Sequence, residues 1–171
     1  MQSAKDTFYL MLQGRVAAGN PGRTVVVRGV VRPGVLVEEN ELASAFVPVD
    51  AFVLRWAGAK VDARAAMPLV AMTCEVRYAT DGSSGNGGMD RGRLLAGMDA
   101  ELAAAVSAWP QSVGKVNYAG LAAAGGTGVA VAMGTNVFWG DAAFGPAVVE
   151  GERLTRVATV EVFAYQEAGE L

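Results

Sequence analysis

The run PLVAMTCEVRYAT at residues 68–80 constrains the fold more than any other stretch of the chain. Apolar and polar side chains alternate along it, which is the period of a β-strand with one buried face. The apolar side chains are those of Val70, Met72, Cys74, Val76 and Tyr78. Thr73, Glu75 and Arg77 point the other way. Because sheets with one solvated face are typically antiparallel, this strand predicts an antiparallel sheet covered on one side.

Two amphipathic helices are predicted to provide that cover. Residues 4–18 place Phe8, Met11, Leu12 and Val16 on one helical face, and GNPG then ends the helix. A second helix is predicted over 91–107, capped by Asp90. Its apolar stripe is formed by Leu94, Leu95, Met98, Leu102 and Val106.

Further strands complete the sheet. A one-sided strand is predicted near the end of the chain, in GERLTRVATVEVFAYQE, and shorter strands are predicted at 24–31, 35–39, 51–56 and 129–133. Residues 57–66 are expected to be a connection. The prediction is a single α+β domain over 1–171, with a mostly antiparallel sheet and two main helices packed on one face. A flexible glycine-rich loop is expected at 81–90 and a Gly/Ala-rich insert at 111–136.

Composition narrows the chemistry that this domain could perform. The chain has no histidine and a single cysteine, Cys74, so the usual neutral-pH base, the Cys-His pair and the multi-cysteine zinc site are all missing. The net charge of −3 predicts no general attraction to nucleic acid or to anionic membranes, and no membrane span is expected. We therefore expect no enzyme activity, no cofactor and no metal site.

The glycine-rich loop DGSSGNGGMDRGR at 81–93 lies between a predicted strand and a predicted helix, as phosphate-binding loops do. It lacks the lysine and hydroxyl residue that a P-loop requires, and Asp90 stands where a dinucleotide fingerprint has its third glycine. A carboxylate at a helix start competes with phosphate for the positive end of the helix dipole. The loop is therefore interpreted as a mobile connector or a segment that a partner orders.

Candidate contact residues follow from charge and expected exposure. The acidic run Glu38, Glu39 and Glu41 is expected to face solvent. Asp90, Arg91 and Arg93 flank the glycine-rich loop, and Arg91 and Arg93 could reach carboxylates of a neighbouring subunit. In the glycine-punctuated VFWGDAAFGP, Trp139 and Phe144 are the aromatic residues expected to make an exposed contact.

Taken in order, several segments resemble the tail terminator (tail-completion) proteins of long-tailed bacteriophages and related contractile particles. They are FYLMLQGRV, RTVVVRGVVRPG, AFVLRW, TCEVRYAT, DRGRLLAGMDAELAAAV and TRVATVEVFAYQE. The similarity is one of order and texture over most of the chain. It includes neither the GSSGNGG loop nor the 111–136 insert.

The resemblance implies a homo-oligomeric ring, a hexamer, that caps the tail tube, stops its elongation and forms the joint to the head or neck. Its partners would be the tail tube protein and neck, connector or sheath proteins, with DNA only as passing cargo. The place of action would be the virion tail, after assembly in the host bacterial cytoplasm. An acidic channel wall would repel the phosphates of that DNA.

Two alternatives remain open. The chain could be another head–tail connector or tail tube subunit, which a micrograph of the tail would distinguish. It could instead be a carboxylate-dependent hydrolase or a small-ligand-binding protein. A rise in melting temperature with one nucleotide, sugar or divalent metal would indicate that class.

Overall fold

Two long helices pack on one sheet, and a separate two-stranded hairpin precedes that sheet in the chain. The computed structural model describes residues 1–41, 48–64, 66–120 and 128–170, apart from the side chains of residues 40 and 41. The helices are α1 (Gln2–Gly19), the one-turn α2 (Glu38–Glu41) and α3 (Arg91–Ser107), and a 3-10 turn lies at Ser84–Asn86. The strands are β1 (Thr24–Val27), β2 (Val30–Pro33), β3 (Val35–Val37), β4 (Phe52–Asp62), β5 (Leu69–Thr80), β6 (Ser112–Asn117), β7 (Val131–Trp139), β8 (Ala143–Phe144), β9 (Val148–Glu150) and β10 (Arg153–Tyr165). The predicted α+β class is confirmed.

The sheet is built around the long antiparallel pair β5 and β10. Their register runs from Leu154 opposite Thr80 to Tyr165 opposite Leu69, and the strand order is β3-β4-β5-β10-β7-β6. The short strands β8 and β9 also pair with β10, whereas the β3–β4 pair is parallel. The alternation predicted for β5 is confirmed, since its apolar set is buried and its polar set is partly exposed.

Both long helices present an apolar stripe to the buried face of the sheet, as the helical period requires. In α1 the buried residues include Phe8, Leu12 and Val16, and the Phe8 ring packs edge-on against Trp56 and Trp139. The buried residues of α3 are Leu95, Met98, Leu102, Ala105 and Val106. The prediction for Leu94 was wrong: it lies at the border of the stripe, about 100° from Leu95, and is exposed.

The segment predicted as one strand over 24–31 is instead a hairpin. Arg28 and Gly29 both have positive φ, 50° and 80°, and together form a two-residue turn between β1 and β2. Turns with two left-handed residues match the twist of antiparallel strands, which is why they favour tight hairpins. The hairpin carries no regular pairing to the main sheet among the described residues.

Residues 57–62, predicted as part of a connection, belong to the sheet, and the predicted insert contributes more strand than the short one expected at 129–133. Residues 57–62 continue β4 beyond an irregularity between Trp56 and Gly58, where one extra residue allows the strand to resume pairing with β5. The predicted insert contributes β6 and the start of β7, which form a hairpin at the sheet edge. The part of the insert at 121–127 lies outside the described residues. A search of the described helices finds none with the length and apolar character of a membrane span.

Candidate subunit interface

The glycine-rich loop folds around the carboxylate of Asp90. Asp90 accepts hydrogen bonds from the Ser83 backbone N–H (2.9 Å), the Ser83 hydroxyl (2.6 Å) and the Asn86 side-chain amide (3.3 Å). These donors, the Ser83 hydroxyl first, lower the pKa of Asp90 to about 2. The glycine-rich loop is thus hydrogen-bonded to a carboxylate of its own, and its predicted flexibility stays a prediction.

Asp90 occupies the N-cap position of α3, but its predicted capping role is wrong. Its side chain makes no hydrogen bond to the first turn of the helix, because its oxygens turn back toward Ser83. The next residue, Arg91, donates to the carbonyls of Gly88 and Glu152 and so ties the loop to the turn before β10. Asp81 forms a further 3.0 Å ion pair with Arg153.

The glycines of this loop serve its compact folding. Gly82 has a φ of +81°, and a Cβ built on it would lie 2.6 Å from the Cα of Gly88. Any other residue at position 82 would therefore be strained and would separate the two arms of the loop. A cleft of about 510 Å³ beside the loop is lined by groups of both charges, including Asp81, Arg91 and Glu152.

The other charged candidates lie in different parts of the surface. Glu38, on α2, pairs with Arg77 of β5 at 3.3 Å, while Glu39 is exposed. The Glu41 side chain lies outside the described part of the chain. Arg93 is exposed on the first turn of α3 and forms no ion pair with Glu38 among the described residues, since Glu38 pairs with Arg77.

Of the two aromatic residues predicted to be exposed, Trp139 is buried and Phe144 is exposed. Trp139 was expected to be exposed, and this is wrong: only 4% of it is accessible, because its indole packs on Phe8 and donates from Nε1 to the Val106 carbonyl at 2.9 Å. Phe144, on β8, is exposed as expected. Sequence reasoning missed Trp109, which is 90% exposed where the chain leaves α3. Trp109 directly follows the predicted helix and precedes Pro110, and nothing in this local sequence marks it as exposed.

An apolar groove of about 610 Å³ runs between the C-terminal halves of α1 and α3, close to Trp109 in the chain. Small residues such as Gly19, Ala104 and Ala108 line it. Arg15 crosses the end of the groove and donates to the carbonyls of Ala105, Ala108 and Pro110, which satisfies the last turn of α3.

The β1–β2 hairpin, residues 24–33, exposes several valines, and we call it the valine arm. Val26 and Val31 face each other across the two strands and are 65% and 66% exposed. The opposite face contacts the body, where Arg32 donates to the Tyr9 hydroxyl at 3.0 Å. Arg23 anchors the base of the arm through a 2.7 Å ion pair with Glu101. The arm, which is held to the body at its base and on one face, therefore exposes valines to solvent, and grouped exposed apolar residues of this kind mark interaction surfaces.

A second exposed apolar surface lies elsewhere in the chain and is acidic, whereas the valine arm contains only basic charged residues, Arg28 and Arg32. Residues 141–152, called the acidic edge below, contain β8 and β9 and carry three carboxylates with no Lys or Arg. All three residues of β9 are exposed, including Val149 at 67%. Within the described residues β9 pairs only with β10, so its outer backbone edge is open.

The groups that could have suggested catalysis have structural contacts. Cys74 is fully buried, and burial raises the pKa of its thiol. Asp99 bridges the Tyr78 hydroxyl and Arg156, and Glu101 pairs with Arg23. A search of the described residues finds no group of three His, Cys, Asp or Glu residues arranged to hold a metal ion.

A comparison of the chain with models of known protein families finds no match, and a comparison with curated proteins finds none either.

Proposed function

We propose that this chain is a non-enzymatic structural subunit of a phage or phage-like tail. In this role copies of the chain form a ring at the end of the tail tube, stop its elongation and provide the joint to the head or neck. The resemblance of the ordered segments to tail terminator proteins suggests the role.

The observation that carries the proposal is the valine arm. Its solvent face is apolar, while its other face and its base are held to the body by hydrogen bonds and an ion pair. Covering the apolar outer face of the arm with another surface removes it from water, which is favourable. Assembly is the process that provides such a cover.

The arrangement of the sheet also supports a ring. The arm joins β3 through Gly34 at one edge of the sheet, and the acidic edge flanks β10 on the side away from β5. Two different exposed surfaces on one subunit favour a head-to-tail contact, and such a contact closes into a ring when its rotation is suitable.

Mass measurement and tube binding test this proposal. Light scattering on the full chain should give a defined multiple of 17.6 kDa, alone or after addition of tail tubes of the particle that carries it. Labelled protein should then be found at tube ends and not along their length. A monomer that does not bind the tubes would contradict the proposal. Labelling along the whole tube would instead favour a tube subunit.

A further inference from the structure

We infer that the valine arm of one copy docks on the acidic edge of a second copy. This inference rests on the proposed function, since it names the contact by which the ring would be built. It joins residues 24–33 of one subunit to residues 141–152 of the next, and it makes the interface heterologous.

The two surfaces have complementary charge. The valine arm contains Arg28 and Arg32 and no acidic residue, whereas the acidic edge contains Asp141, Glu150 and Glu152 and no basic residue. Arg28, at the tip of the arm, is exposed and has no ion-pair partner among the described residues. Opposite charges steer two surfaces into register and disfavour wrong pairings, so this asymmetry selects arm-to-edge contact over arm-to-arm contact.

The two surfaces are also matched in shape and in apolar character. Both are short extended segments with exposed valines: Val26 and Val31 on the arm, and Val148 and Val149 on the edge. In the described residues β1 and β2 pair only with each other, and β9 pairs only with β10. One open strand edge of the arm can therefore add to the open edge of β9, which would satisfy backbone groups and bury the valines together.

Within one subunit, the order of the strands separates the arm from the acidic edge. The arm leads directly into β3, while β9 lies beyond β4, β5 and β10 in the order of the sheet. Strands in a sheet are about 4.8 Å apart, so the intervening strands separate the two surfaces by more than about 14 Å. The partner of the arm is therefore a second copy.

The apolar groove between α1 and α3 is a weaker receptor for the arm. Its lining acid, Glu101, is already engaged by Arg23 of the same subunit, at 2.7 Å. Its lining also contains Arg15, which would repel Arg28. The acidic edge has free carboxylates at Glu150 and Glu152, since neither side chain has an ion-pair partner among the described residues.

A charge-reversal cycle on the full chain tests the contact. Sedimentation velocity over a series of concentrations should show that Arg28→Glu and Glu150→Arg each weaken association about tenfold or more. The double variant should restore most of the loss, because the reversed pair again attracts. Lys60→Glu is the matched control: it changes the net charge equally at an exposed position of β4 outside the contact and should leave association unchanged.

A second pair of variants tests the apolar part without changing charge. Val31→Thr keeps the β-branched shape and should weaken association, while Val61→Thr, at an exposed position of β4 outside the contact, should not. An unchanged melting temperature of each diluted variant shows that the subunit still folds.

The outcomes separate this inference from the proposed function. If the wild-type chain assembles but the double charge reversal fails to restore association, or the arm variants have no effect, the arm-to-edge contact is wrong and the ring proposal stands. If the wild-type chain stays monomeric at all concentrations and with tail tubes, both are wrong. Restoration by the double variant establishes the contact.

Discussion

At the scale of single residues, the carboxylate of Asp90 organises the hydrogen bonds of the glycine-rich loop. Three donors from the loop converge on its carboxylate, so the negative charge that a bound phosphate would bring is already present. The glycines then have a geometric role, because Gly82 and Gly88 approach too closely to allow a side chain at position 82. The loop thus links β5 to α3 as a folded connection.

The low pKa of Asp90 predicts a pH-dependent contribution to stability. Its folded pKa of about 2 lies below the ordinary value of 3.8, so the carboxylate stabilises the fold above about pH 4 and this contribution is lost as the pH falls through about 2. Asp90→Asn should lower the melting temperature at pH 7, and the difference from wild type should shrink as the pH falls below about 4 and vanish below about pH 2. Glu39→Gln removes one carboxylate at an exposed position and is the control: it should leave the melting temperature at pH 7 unchanged. A constant difference across this range would contradict the role given to the charge.

The contact of Tyr78 with Asp99 and Arg156 predicts an order of mutational effects. The buried Tyr78 hydroxyl donates to Asp99, which also accepts from Arg156, and burial raises the pKa of Tyr78. Tyr78→Phe removes one hydrogen bond and should lower the free energy of unfolding by about 1 kcal/mol. Asp99→Ala also leaves the hydroxyl and the guanidinium without their acceptor and should cost about 2 kcal/mol. Urea unfolding measures both, and a larger loss for Tyr78→Phe would reverse the assignment.

Residue burial was only partly predictable from the sequence. Cys74 was predicted to be buried because it lies on the apolar face of a long alternating strand, and it is. The sequence did not show which of Trp139 and Trp109 is buried, because each lies at the end of an element, next to Gly or Pro, where no alternating pattern continues. Trp139 ends β7 on the buried face, whereas Trp109 follows the last turn of α3 and points away from it. Burial of these residues depends on sheet register, which no local pattern contains.

At the scale of elements, strong periodicity was a reliable guide and weak turn signals were not. The prediction for 91–107 matches α3, and the prediction for 68–80 matches β5 to within a residue, because each has a sustained period over three turns or more than ten residues. The Arg28–Gly29 turn was missed because arginine is uncommon at positive φ. The end of β4 was missed because its irregularity shifts the alternation after Trp56.

The buried Lys115 predicts that β6 and the C-terminal segment stabilise each other. Its ammonium group is fully buried and donates to the Tyr165 carbonyl and to Glu170, each at 2.6 Å. Lys115→Met leaves the nearly buried Glu170 carboxylate without its cation and should lower the free energy of unfolding by about 3–5 kcal/mol. The exposed Lys60→Met on β4 is the matched control and should change it by less than about 0.5 kcal/mol.

Combining Lys115→Met with Glu170→Gln should reduce that loss, since the second change removes the unpaired charge. Denaturant unfolding of the two single variants and the double variant measures the coupling. Independent, additive losses would show that Lys115 and Glu170 do not act as a pair.

At the scale of the whole molecule, the layers were predictable and the assembly surfaces were not. One-sided strands and two amphipathic helices determine a sheet covered on one face, which is the architecture found. The valine arm was read as part of a strand, and the acidic edge was represented only by Phe144 among the predicted contact residues. Both surfaces arise from tertiary placement: the arm turns away from the sheet at Gly34, and β9 lies at an edge that only the pairing of β10 defines.

The most direct test of the proposed role is an electron micrograph of the full chain, alone and after mixing with tail tubes. We expect closed rings with an open centre at the tube ends, in which the arm of each subunit meets the acidic edge of the next. Single subunits of 17.6 kDa in both samples, with tube ends left bare, would contradict it.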